Sequence, residues 1–250
     1  MSGIVCSGNI RVGYVDDNGA LTGGYIGIVN ATKLMLTVPA PTLVQRISKQ
    51  NSTFGQALDQ VAFPKPMDIA LDTDDVGDSE ILGWAVGGTS AGYTQTSGAV
   101  TDEAVTAVLS QWVSLASRSV SAVVVKNVAG TTTYVANTDY IVDLSAGMIQ
   151  CLPTPGAITA AEALHVSYTK AALTGNAISV GTRAEIQVRI EGDMINLANN
   201  KPVHVVVPKA KLSPAGGLDL LGSTFLVASM TGNALVVSGQ PPATITEITS

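Results

Sequence analysis

The sequence predicts an all-β chain, a β-sandwich or barrel with one short flanking helix, and three observations carry that reading. "TRAEIQVRIEG" alternates with a period of two: Ile186, Val188 and Ile190 fall on one side, Glu185, Gln187, Arg189 and Glu191 on the other. That is the pattern of a strand with one buried face. Val, Ile, Thr, Ala and Gly dominate, while aromatic residues make up only 4%, which suits a core of small, often β-branched side chains. Short apolar runs also follow one another closely, separated by turn residues.

Taken in order, residues 10–15 and 33–38 read as strands, with turn chemistry at Asp16 to Gly19, where Asn18 and Gly19 readily take positive φ. Pro39 and Pro41 end regular pairing, and "TLVQRISKQNSTFG" reads as a long polar connection over residues 41–55, carrying Arg46 and Lys49. Alternation resumes in "MDIALDTDD", with Ile69 and Leu71 on one face and Asp68, Ala70, Asp72 and Asp74 on the other. "DSEILGWAVGG" is the helix: Asp78 is its N-cap, Glu80 lies in its first turn, Ile81, Leu82, Ala85 and Val86 form its apolar side, and Gly87 and Gly88 stop it.

Residues 91–98, rich in Gly, Ser and Thr, mark a boundary. "TDEAVTAVLSQWVSL" fits either a helix capped by Thr101 or an irregular strand, and periodicity does not choose. Residues 120–128, 131–135, 140–144, 148–152 and 164–169 are then five strands of a small β module. After Leu173 come the strand pair around the "ANNKP" loop, including residues 203–207, a strand at 224–230, a turn at Thr231 to Asn233 and a last strand at 234–238. Residues 241–250 form an extended C-terminal arm. The organisation expected is a discontinuous main β-sandwich over 1–99 and 173–250, with residues 100–172 either inserted as an elaborating module or part of that sandwich.

Composition excludes several functions. Charged residues are 13% and apolar residues 46% of 250, a charge content about half the usual one. No stretch approaches the roughly 18 to 20 apolar residues of a membrane span, and no leader is read in the opening residues, so the expectation is a protein made in a cytoplasm. A surface so poor in charge is expected to be covered by other copies of the chain. Cys6 and Cys151 are read as two free, buried thiols.

The net charge of −6 argues against tight binding of phosphates. Residues 66–117 contain no Lys or Arg, yet include Asp68, Asp72, Asp74, Asp75, Asp78 and Glu80. His165 and His204, both within apolar runs, are read as structural, which leaves no base for a nucleophilic triad. "DTDDVGDSE" resembles the start of a calcium loop, but Gly83 stands where the bidentate Glu is required. Clustered Cys and His ligands and a phosphate-binding glycine motif are lacking. The reading is of a non-enzyme with no cofactor and no metal.

Several segments together carry a resemblance: "GYVDDNGALTGGYIGIVNATKLMLTV", "FGQALDQV" before "SEILGWAVGG", "TTTYVANTDYIVDLSAGMIQ", and "VRIEGDMINLANNKPVHVVVPKAKLSPAGGLDLL" with "ALVVSG". With these, the chain resembles the major tail tube proteins of long-tailed bacteriophages. The resemblance implies a structural virion protein, assembled in the bacterial cytoplasm, whose hexameric rings stack into the tube that conducts phage DNA. Its implied partners are its own copies, the tape measure protein and DNA in the lumen, and tail tip and terminator proteins. An inner wall shared between subunits would then be lined by Asp68, Asp72, Glu185, Gln187 and Glu191, an acidic surface past which DNA slides; Arg189 departs from that pattern unless a neighbouring carboxylate pairs with it. Contacts between rings would fall to the loop at 41–55 and the arm at 241–250, with Arg46 and Lys49 meeting Asp74, Asp75 and Asp78. The alternative is an immunoglobulin-like adhesin or a capsid decoration protein.

Overall fold

A computed structural model describes residues 3–248, and the chain divides into two compact units, Met1–Ala91 with Ile178–Ser250, and Gly92–Ala177. The first unit opens with strands β1 (Cys6–Val15), β2 (Leu21–Val29) and β3 (Ala31–Thr37), then the hairpin β4 (Thr42–Ile47) and β5 (Ala57–Phe63), strand β6 (Asp68–Thr73) and helix α1 (Ser79–Ala85). Strand β7 (Thr89–Gln95) leads into the second unit, which holds β8 (Gly98–Thr106), β9 (Trp112–Ser114), β10 (Val120–Asn127), β11 (Tyr140–Asp143), β12 (Met148–Cys151) and β13 (Ala163–Lys170). The chain returns along β14 (Leu173–Ser179), which pairs with β7, and ends with β15 (Ile186–Asn196), β16 (Lys201–Pro214), β17 (Ala228–Ala234) and β18 (Thr244–Glu247). The fold is all-β with one short helix.

One large antiparallel sheet, ordered β2-β1-β15-β16-β17-β6-β3, builds the first unit, with β18 added to β16. Its two outermost strands, β2 and β3, are joined by Asn30 alone, so the sheet has to curl until its ends meet at that corner. The corner is pinned to the end of β6: the Asn30 carbonyl accepts from Thr73 Oγ1 at 2.9 Å, and its side chain donates to Asp74 Oδ1 at 2.7 Å. The concave side is filled by Ile10 and Val12, Ile69 and Leu71, Ile186, Val188 and Ile190, and Leu212, with Ile81, Trp84 and Ala85 of α1 packed among them.

Helix α1 starts where the sequence indicates. Asp78 accepts from the Glu80 and Ile81 amides, the usual satisfaction of two otherwise orphaned donors. Tyr14 ties the helix to β1: its hydroxyl donates to Glu80 Oε2 at 3.1 Å and accepts from Trp84 Nε1 at 2.5 Å, and the two rings meet edge to face.

The second unit stacks β10-β13-β8 and β11-β12-β9 around its own core, which includes Val125, Tyr140, Ile149, Leu164 and Val166. Asp139 stitches its loops by accepting from the Val135 and Ala157 amides, and those two bonds hold its carboxyl below the usual range. The Glu162 carboxylate against the Tyr134 hydroxyl pushes that phenol up to about 12.

Several expectations are corrected. The ambiguous stretch from Thr101 forms β8 and then β9, not a helix. Residues 131–135 make one isolated bridge, Lys126 to Thr133, in place of a strand, and the Tyr134 ring turns into the core. The polar connection at 41–55 is most of a hairpin; both faces of β4 and β5 are exposed, so no burial pattern marks them. The turn at Thr231 to Asn233 lies inside β17, because Gly232 serves a close approach of strands: a Cβ there would strike the Lys211 carbonyl oxygen of β16. The C-terminal arm folds back as β18 against Val203 to Val206, with residues 249–250 outside the described residues. Cys6 is exposed, and only Cys151 is buried.

Candidate assembly surface

The alternation of β15 sends Ile186, Val188 and Ile190 inward, so Glu185, Gln187, Arg189, Glu191 and Asp193 occupy the convex face of the large sheet. Register brings Arg11 of β1 and His204 of β16 to the same band, beside Glu191 and Asp193. Arg11 Nη1 lies 2.5 Å from Asp193 Oδ2, and His204 Nδ1 lies 2.7 Å from Asp193 Oδ1. These two bonds, the histidine's first, hold the Asp193 carboxyl below its ordinary range. Glu191 is ringed by the Tyr25 hydroxyl, Arg189 Nε at 3.5 Å and His204 Nε2 at 3.4 Å. Burial, and after it the Glu191 carboxylate, raises the pKa of the Tyr25 hydroxyl.

The remaining carboxylates of this face are engaged as well. Glu185 pairs with Lys211, Asp72 lies 3.7 Å from Lys33 across β6 and β3, and Asp68 accepts from Asn233 Nδ2 at 2.7 Å. Gln187 is half-buried and donates to the Val15 and Asp16 carbonyls, so it holds the β1–β2 turn instead of facing open space. The face is therefore a mosaic of matched charges. His204, read as structural within an apolar run, lies among the charges.

A bulge shapes the middle of this face. Val188 pairs with Ala210 and Ile190 with Val207, so Pro208 and Lys209 stand together opposite Arg189. A proline can sit in this central strand because the bulge asks no ladder hydrogen bond of it. Buried Lys209 reaches the Asp17 carbonyl at 2.6 Å and fastens the bulge to the β1–β2 turn.

The hairpin is a second surface. All residues of β4 and β5 are exposed, among them Leu43, Val44, Ile47, Leu58, Val61 and Phe63. Arg46 and Lys49 belong to it, Lys49 resting 5.8 Å from the Phe54 ring centroid, and neither is in an ion pair among the described residues. Asp74, Asp75 and Asp78 occupy the turn between β6 and α1, also without a basic partner among the described residues. Those five residues thus form one unpaired cationic group and one unpaired anionic group. No cluster of metal-ligating side chains occurs among the described residues, and none of their helices is long and apolar enough to cross a membrane.

A family model matches residues 5–244, a span that takes in both units. The chain belongs to the family described as protein of unknown function UCP028589. No curated protein matches it. The residues that sequence reasoning missed are Arg11, Tyr25, Asp193, His204 and Lys211. Their common signal is a polar side chain at an outward position of β15, of its neighbours β1 and β16, or of β2 beyond β1, and it becomes visible only once the strand order is known.

Proposed function

We propose that this protein is a structural, self-assembling subunit, and that its copies form stacked rings of the kind that build a phage tail tube. The observation that carries the reading is the hairpin of β4 and β5. A two-stranded ribbon is at best marginally stable by itself in water, and this one exposes large apolar side chains on both faces. Contact with another copy would cover it. Its unpaired Arg46 and Lys49 complement the unpaired Asp74, Asp75 and Asp78, a match that orients an encounter more than it tightens it.

In such a tube the convex face of the large sheet borders the bore. Its chemistry then differs from simple repulsion of DNA. Apart from Lys209, which is buried and held by the Asp17 carbonyl, the basic side chains described there each have a carboxylate within ion-pair distance, so a passing phosphate gains little counterion release from them. DNA would slide along a wall whose charges are satisfied internally.

Negative-stain microscopy of the purified chain, with sedimentation velocity over a wide concentration range, tests the proposal. Six-fold rings or tubes are expected. A particle that remains monomeric throughout would overturn it and favour the adhesin or decoration reading, for which the separately cored unit Gly92–Ala177 is the relevant feature.

A further inference from the structure

Strands β3 and β6 end their pairing with Thr37 opposite Asp68, and β4 and β5 begin theirs with Thr42 opposite Phe63. Between those rows lie residues 38–41 on one side and 64–67 on the other, equal in length and in no ladder. The register therefore runs straight across the gap: counted inward, Val38 stands opposite Met67, Pro39 opposite Pro66, Ala40 opposite Lys65 and Pro41 opposite Pro64. The exposed hairpin is the far half of one long ribbon whose neck is unpaired.

Strand geometry says which rows of the neck would be bonded. Hydrogen-bonded and non-bonded rows alternate along an antiparallel pair. The Met67 carbonyl accepts from the Ala234 amide on the β17 side, so Met67 turns its backbone groups away from β3 and Asp68 turns its own toward β3. Thr37 and Asp68 thus form a bonded row, and the rows of Pro39 with Pro66 and of Pro41 with Pro64 are of the same kind. All the amide nitrogens that could carry the ladder through the neck belong to prolines, which have no N–H to donate. Packing does not take the place of those bonds: Pro39 is half-buried, and the rest of the neck except Met67 is exposed.

We infer that this neck is a hinge about which the hairpin of β4 and β5 swings as one body. Each side reads X-Pro-X-Pro, so the rings fix φ at the prolines and confine Val38, Ala40, Phe63 and Lys65 to extended conformations. Both sides stay extended and hold the hairpin away from the sheet, while the missing cross-links let one side slide and tilt against the other. Pro64, Lys65 and Pro66 border an open cleft of about 720 Å³, lined also by Leu235, Val236 and Pro242, which leaves room for the swing. The inference rests on the assembly reading for its purpose alone, an arm that samples a range of angles before a contact with another copy locks it; the motion belongs to the single chain.

Distance distributions between spin labels test the hinge, on dilute full-length monomer with Cys6→Ser, which leaves buried Cys151 as its remaining native thiol. Labels at Met35→Cys and Val44→Cys span the neck, and labels at Met35→Cys and Ile195→Cys lie within the large sheet, all at exposed positions. The pair across the neck should give a broad distribution and the sheet pair a narrow one. Replacing Pro39, Pro41, Pro64 and Pro66 together by Thr restores the donors with a strand-forming side chain. The neck distribution should then narrow to the width of the sheet pair, and the new amides should exchange roughly tenfold or more slowly than unprotected ones. A wild-type neck as narrow as the sheet would overturn the hinge, a comparison that holds whether or not the threonine variant folds; so would a folded threonine variant that stays broad. Sedimentation velocity separates the two readings. A wild type monomeric at every concentration yet broad across the neck would support the hinge and overturn assembly, and rings built from monomers with a narrow neck would do the reverse.

Discussion

His204 stands between two carboxylates, with Nδ1 toward Asp193 and Nε2 toward Glu191. Because the closer partner is an acceptor, Nδ1 is the nitrogen that donates to Asp193. The Asp193 carboxyl is held below its ordinary range first by this bond and then by Arg11. A depressed carboxyl stabilises the fold above its unfolded value of about 3.9, and that contribution is lost as pH falls through the folded value. His204→Val, which retains a strand-forming side chain, should therefore lower the urea midpoint at pH 5–7. The difference from wild type should narrow as pH falls below the ordinary carboxylate range and Asp193 takes up its proton. A difference unchanged at low pH would mean that the histidine acts through packing. This residue was illegible in the sequence because "VHVVV" reads as an apolar run; only its pairing with Asp193 assigns its side.

At the scale of the element, legibility followed burial. Helix α1 could be read because its cap, apolar side and glycine stop agree, and Asp78→Ala should cost about 1 kcal/mol in chemical denaturation. The strands β6 and β15 were legible for a similar reason, each having one buried face. The hairpin was not, since a strand exposed on both sides shows no alternation of burial to detect. The expected turn at Thr231 to Asn233 followed from its composition, whereas Gly232 answers a need for space against β16, and the strand expected at 234–238 does not form, since β17 ends at Ala234. Gly232→Ala should accordingly destabilise the protein by about 3 kcal/mol, the upper part of the range for overpacking. Wild-type stability in that variant, measured by the same denaturation, would show that the strands can separate at little cost.

For the molecule as a whole, the proposed assembly contact and the packed core fall on different residues. The core of the large sheet includes nothing from β4 or β5. Replacing residues 42–63 with a short glycine-serine link should shift the unfolding free energy by no more than about 0.5 kcal/mol, as surface changes usually do, while abolishing large particles in sedimentation. If the shortened chain assembled normally, the hairpin would be irrelevant to assembly. Such a surface is underdetermined by one sequence: the chain specifies what its own core buries, and a face completed by other copies carries no burial pattern within the single chain. The alternation of β15 alone fixes the side on which Glu185, Gln187, Arg189 and Glu191 lie, while their partners on other strands were not legible.

The ribbon of β7 and β14 has a practical meaning beyond architecture. The polypeptide leaves the large sheet and comes back to it along two hydrogen-bonded neighbours, so the splice points lie side by side. Any foreign domain whose ends are adjacent could be exchanged for residues 92–177 without asking the host to stretch, which makes this position a natural socket for cargo.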